Sequence, residues 1–251
     1  MDMQHWELLV FFFIIAFVYA SVGFGGGSSY LAILALYAIP FQEMKLTALI
    51  CNIVVVTGGT LVFLRNRQIN WKKILPLIIT SIPMAFLGAR LKLKEDIFFI
   101  VLGCSLIIAS VLLWIKMKNI KTVSKPHILK DVGLGGLIGF LSGMVGIGGG
   151  IFLSPLLNLS GWDTSKKIAA TASLFILVNS LAGIAGQLSG LSVELNYTRI
   201  TLLVVAVLAG GQLGSWLSAV KFDLLVVRRT TALLVLMAGI EVLIKHMHLF
   251  S

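Results

Sequence analysis

The chain has 251 residues, of which 58% are hydrophobic and only 12% charged, where a soluble domain would carry about a quarter charged residues. With a mean hydropathy of +1.02 and no polar stretch long enough for a separate soluble domain, the composition excludes a water-soluble protein and points to a polytopic membrane protein. The formal charge of +10 could suit nucleic acid, but the basic residues cluster between apolar runs. There they act as topology determinants and lipid-headgroup contacts, which argues against nucleic acid as a partner.

The N-terminus, Met1-Asp2-Met3-Gln4-His5-Trp6-Glu7, lacks the basic region that opens a signal peptide, so the first apolar run is expected to be retained. Residues 7–22 and 28–39 are apolar, yet neither reaches the roughly 20 residues needed to cross a bilayer. Between them lies Ser21-Val22-Gly23-Phe24-Gly25-Gly26-Gly27-Ser28-Ser29. Its glycines each cost a helix roughly 1 kcal/mol relative to alanine, so the pair reads as a helical hairpin broken at glycine. Full spans follow over 44–64, 74–91 and 97–115, with Pro83 a kink inside the second. A basic linker, 117–130, separates repeat 1 (1–116) from repeat 2 (131–251). Repeat 2 runs through apolar segments 132–145 and 151–159, around Ser142-Gly143-Met144-Val145-Gly146-Ile147-Gly148-Gly149-Gly150, and then spans at 168–187, 199–220 and 224–244. The halves align at Val22–Gly27 with Val145–Gly150. Asn52 and Gly59 align with Asn179 and Gly186, and Leu87-Gly88 with Leu213-Gly214.

Topology follows from charge. If each hairpin returns to its own side, each half adds three crossings and the halves are inverted. Fourteen Lys and Arg, in 65–73, 116–130, 166–167 and 221–229, then face one side against six on the other. If each hairpin is one net crossing, the split is 11 to 9. The positive-inside rule selects the returning hairpin, with both termini outside. Trp71, Trp114, Trp162 and Trp216 then form an inner aromatic belt. The predicted fold is an all-α polytopic membrane protein of two inverted-topology repeats, each a glycine-broken helical hairpin plus three transmembrane helices.

Backbone that leaves a helix in hydrocarbon is tolerated only where protein or a wet cavity receives its polar groups. Two matched breaks, one per half, are the sequence sign of a transporter's binding site. Each break frees helix N-terminal amides carrying about half a positive charge, an anion site without a charged side chain. The candidate site residues are Gly25, Gly26, Gly27, Ser28 and Asn52 in the first half. In the second they are Gly148, Gly149, Gly150, Thr171, Ser173 and Asn179. All ten acidic residues fall at or near span ends or loops, which argues against a cation as substrate. The bland readings are helix packing for the glycines and interhelical hydrogen bonding for the asparagines. Thr57 is expected to bond its own helix. Cys51 and Cys104 imply no disulfide framework, and the four histidines form no metal cluster, so no metal, cofactor or catalytic residue is expected.

On these motifs, together with Lys45-Leu46-Thr47-Ala48 and Ala169-Ala170-Thr171-Ala172-Ser173, the chain resembles the sulfite exporter TauE/SafE family of membrane permeases over nearly its whole length. The resemblance implies a secondary transporter of sulfite, thiosulfate, sulfoacetate or related anions in a bacterial inner membrane. An anion channel of the same architecture is the alternative. The implied partners are a small anion, the bilayer and, as an option, a second copy of the chain. The sequence departs from the family pattern at Trp216, which stands where the first half has Arg90.

Overall fold

The computed structural model describes residues 6–20, 25–115, 127–189, 195–218 and 224–247. Gly23 and Phe24 of the first break, and the linker up to residue 126, lie outside them. The described residues are helical, with no strand. The helices are α1 (Glu7–Ala20), α2 (Gly27–Leu36), α3 (Phe41–Arg65), α4 (Trp71–Arg90) and α5 (Glu95–Trp114). The second set is α6 (Ile128–Val145), α7 (Gly150–Leu159), α8 (Ser165–Leu188), α9 (Tyr197–Ser218) and α10 (Leu224–Met247). Six of them (α3, α4, α5, α6, α8 and α9) are long and apolar enough to cross a membrane. Large apolar side chains stay exposed on their outer faces, Ile79, Ile108, Leu137 and Val205 among them, as a bundle solvated by lipid requires.

Of the four helices that flank the breaks, α6, at 18 residues, is itself long enough to cross, and the other three are not. At 1.5 Å per residue, α1 is about 21 Å long and α2 and α7 about 15 Å each, short of a hydrocarbon core of about 30 Å. Each hairpin returns to the end at which it began. Tyr37, just past α2, donates its hydroxyl hydrogen to Glu7 at the start of α1 (3.4 Å). Trp162, just past α7, donates from Nε1 to Asp131 in the first turn of α6 (3.0 Å). Two ion pairs agree with this parity: Lys73–Asp163 at 3.6 Å and Arg199–Glu43 at 2.8 Å. Had each hairpin made one net crossing, both pairs would be split across the membrane.

Helix packing has a regular plan. Exchanging α1–α5 for α6–α10 carries each closely packed pair onto another such pair. Thus α4 packs on α6 as α9 packs on α1, α4 on α8 as α9 on α3, and α2 on α10 as α7 on α5; α3–α8 and α5–α10 map onto themselves. The tightest seams need glycine because backbone meets backbone. A Cβ on Gly143 would lie 1.9 Å from the Ala85 carbonyl oxygen, and one on Gly214 2.1 Å from that of Phe17. Small residues at such a seam let van der Waals packing hold helices together where lipid supplies no hydrophobic drive.

One expectation is revised. Trp71, Trp114 and Trp216 are exposed as belt residues should be, but Trp162 is 6% exposed. Its ring lies 5.1 Å from the Lys73 ammonium, and its indole nitrogen is engaged by Asp131. It fastens the end of the second hairpin instead of contacting headgroups.

Candidate functional site

Both breaks end in a left-handed glycine. Gly26 (φ 81°) caps α2 and Gly149 (φ 81°) caps α7, neither with a side-chain cap, a conformation that costs any residue with a Cβ. Past Gly26, the amides of Ser29 and Tyr30 both reach the Gly26 carbonyl; past Gly149, those of Phe152 and Leu153 both reach the Gly149 carbonyl. The earlier amides, Gly27 and Ser28 on α2 and Gly150 and Ile151 on α7, have no acceptor within their helices, as at any helix start.

The two starts meet. A Cβ on Gly27 would lie 2.8 Å from the Ile147 carbonyl oxygen of the other break. Asn52 on α3 sits between them: its Nδ2 donates to Ile147 O at 3.0 Å. Cβ atoms on Gly25, Gly27 and Gly148 would all strike its amide, at 2.3, 2.4 and 2.8 Å. The side chain is fully buried, and its Oδ1 has no hydrogen-bond partner. A small cavity of about 10 Å³, room for one water, opens where Gly25, Gly27 and Ser28 face Gly150 and Ile151. Tyr19 of α1 and Ile176 of α8 complete its wall. Tyr19 shares a 2.7 Å hydrogen bond with Ser29. Each helix N-terminus carries about half a positive charge. Together they amount to about one unit beside a buried amide, with no acidic side chain among the described residues that line the cavity.

The structure therefore brings together Gly25, Gly26, Gly27, Ser28, Asn52, Gly148 and Gly150. It does not bring in the others in the same way. Gly149 faces Phe175, Ile138 and Ser142. Ser173 lies toward Gly59 of α3, 3.9 Å from where a Cβ there would sit. Thr171 is buried, its hydroxyl unpartnered, away from the cavity lining. Asn179 donates to Phe175 O one turn back on its own helix (2.8 Å), as Thr57 does to Ile53 O.

Packing also corrects the register between halves. Gly25 and Gly27 press on Asn52, whereas Gly150 presses on Ile176 and Gly148 lies against both Asn52 and Ile176. Ser180 approaches Gly148 as Val56 approaches Gly25, and Gly183 meets Leu49 as Gly59 meets Ser173. The counterpart of Asn52 is thus Ile176, three residues before Asn179. Matching like letters, Asn with Asn and Gly with Gly, gave a register that the helix contacts do not follow. Sequence reasoning also passed over Tyr19, Ile176 and Ser180. Tyr19 carried a signal: apart from Glu7 it is the one residue of α1 with a hydrogen-bonding side chain. Ile176, an apolar residue in an apolar helix, carried none.

A family model described as "Sulfite exporter TauE/SafE" matches residues 8–242. The chain is 32% identical over 248 residues to the "Probable membrane transporter protein y4hK" of Sinorhizobium fredii, covering 97% of this chain and all of that one. It is 25% identical to the "Probable membrane transporter protein YunE" of Bacillus subtilis, over 65% of this chain and 67% of the relative. A probable membrane transporter protein of Methanocaldococcus jannaschii is 24% identical, over 79% of each chain. No solved structure matches significantly. With the breaks, the apolar spans and these relatives in hand, the chain belongs to the sulfite exporter TauE/SafE family and is a multi-pass membrane transporter.

Proposed function

We propose that the protein is a secondary transporter that carries small sulfur-containing oxyanions or organosulfonates, of the sulfite, thiosulfate or sulfoacetate kind, across a bacterial inner membrane by alternating access. The observation that carries this reading is the meeting of the two helix starts, with Gly27 against the Ile147 carbonyl and Asn52 bridging them. The anion is held by the free amides at Gly27, Ser28, Gly150 and Ile151 and by the Asn52 amide, a backbone-dominated cradle. The exchange of packed pairs between α1–α5 and α6–α10, with hairpins that return, supports inverted repeats that rock about this site. The present cavity admits about one water, so seating an anion requires the halves to part. That favours a carrier over an anion channel, which needs a continuous path. The excess of Lys and Arg on the face of Lys73 and Lys167 supports placing that face in the cytoplasm and both termini outside.

Purified protein in liposomes is expected to take up labelled sulfite or thiosulfate and to show counterflow when preloaded. Absence of uptake for every sulfur anion tried, beside a working control transporter, contradicts the reading. Uptake without counterflow converts it to a channel.

A further inference from the structure

A second, larger cavity lies away from the breaks, at the end of the bundle where α3 starts and α4 and α8 finish. It measures about 100 Å³. Its polar lining is Gln42 and Lys45 of α3, Lys92 of the α4–α5 loop and Gln187 of α8; Phe41, Leu91 and Leu93 form an apolar wall. Lys45 is only 4% exposed, and its ammonium has no carboxylate partner among the described residues. Its closest feature of note is the Phe98 ring, 5.9 Å from centroid to Nζ. Glu43, two residues away, is committed to Arg199, accepting from Nε and Nη2 at 2.8 to 3.1 Å. Gln187 is 1% exposed; its Nε2 donates to Gln42 O at 2.6 Å, while its Oε1 has no partner. A buried cation without a counterion among the described residues thus faces this space, with the unpartnered Gln187 Oε1 beside it, and no acidic group among the described residues lines it. Leaving a charge so placed is costly unless something offsets it.

Lys45 also packs against the second break. A Cβ on Gly146 would sit 3.3 Å from the Lys45 backbone and side chain, and one on Gly148 2.8 Å from Asn52. Lys45 and Asn52, seven residues apart, lie on one face of α3 about 10 Å apart along its axis. Residues 146–148 therefore run along α3 from one site to the other.

We infer that this cavity is a separate binding site for a small organic anion, with Lys45 as its counter-cation, from which the anion passes along residues 146–148 to the breaks. The apolar wall beside a single buried ammonium selects a monovalent head on a short apolar stem, such as an alkanesulfonate, over a doubly charged, strongly hydrated sulfate. Only the onward passage rests on the transport reading; binding at the cavity does not.

The test is equilibrium binding of ethanesulfonate, and of sulfate, to the full chain in nanodiscs of zwitterionic lipid. Ethanesulfonate should bind more tightly than sulfate. Lys45→Gln should weaken ethanesulfonate by about tenfold or more, as loss of a charged hydrogen-bond partner implies. Lys92→Gln, on an exposed loop and harmless to folding, should weaken it by about threefold. Thr57→Val, whose hydroxyl bonds only Ile53 O on its own helix, should leave this binding unchanged. Ethanesulfonate binding that ignores both lysines overturns the inference, as does competition by anionic lipid with no sulfonate binding, which would make the cavity a headgroup site. If sulfonate binding depends on Lys45 while liposomes take up nothing, the cavity site stands and the transport reading falls. Uptake with no Lys45-dependent binding gives the reverse.

Discussion

The two breaks are alike in backbone and unlike in side chain. Each has a left-handed glycine cap, a ten-residue helix after it and bare first-turn amides. Against the first, α3 presents the polar Asn52; against the second, α8 presents the apolar Ile176. What both halves share is therefore the array of amide hydrogens. What only one half supplies is an amide that ties the breaks together through Ile147 O. In this account charge is neutralised by backbone, and the single asparagine sets how closely the halves approach.

The ends of the bundle offer the widest contrast and the largest expected effect. Lys73 and Asp163 are 8% and 5% exposed, and Asn70 and Lys167 also contact Asp163. Arg199, in the matching pair, is 26% exposed against Glu43. Arg199→Gln should destabilise by about 3 kcal/mol, because it strands Glu43, whose side chain is 5% exposed and bound to Arg199 alone among the described residues. Lys73→Gln should cost less, about 1 kcal/mol, because Asp163 keeps Asn70 and Lys167. Unfolding in mixed micelles compares them, and equal losses would break the contrast.

Next come the asparagine and its counterpart. Asn52→Ala leaves the buried Ile147 carbonyl without its donor and should cost about 1–3 kcal/mol, with anion uptake lowered as well. Ile176→Val, which trims one methylene, should cost about 0.5–1.5 kcal/mol and leave uptake largely intact. The glycines sharpen the comparison. A Cβ on Gly27 meets the Asn52 amide and the Ile147 backbone, while one on Gly150 meets Cδ1 and Cγ1 of the Ile176 side chain at 2.3 and 2.4 Å, with the nearest backbone atom at 3.6 Å. Gly27→Ala should then cost about 1–3 kcal/mol and stop uptake, and Gly150→Ala should cost less, since a side chain rather than backbone has to shift. The smallest effect is expected at Thr57→Val. Its hydroxyl bonds Ile53 O on its own helix, so stability should change by less than about 0.5 kcal/mol, and uptake should not change.

Much of the fold was legible because glycine runs and charge are local signals. A helix cannot comfortably cross Gly25-Gly26-Gly27 or Gly148-Gly149-Gly150, and counting Lys and Arg selects a parity that keeps the partners of Lys73–Asp163 and of Arg199–Glu43 on one side. The half of the site built from backbone was legible for the same reason. The rest depends on which helix lies opposite, and sequence does not state that. Asn179 has the same chemistry as Asn52 but points along its own helix. Lys45 read as one more topology charge until its burial was known. Trp162 read as an interfacial anchor, although Asp131 and Lys73 enclose it.

The central claim is that an anion rests between the starts of α2 and α7. Crystals grown with selenite, the heavier analogue of sulfite, test it directly through the anomalous signal of selenium. The account predicts a peak within hydrogen-bonding reach of the Gly27 and Gly150 amides and the Asn52 side chain. A well-occupied peak elsewhere, with the two helix starts still closed on each other, would contradict it.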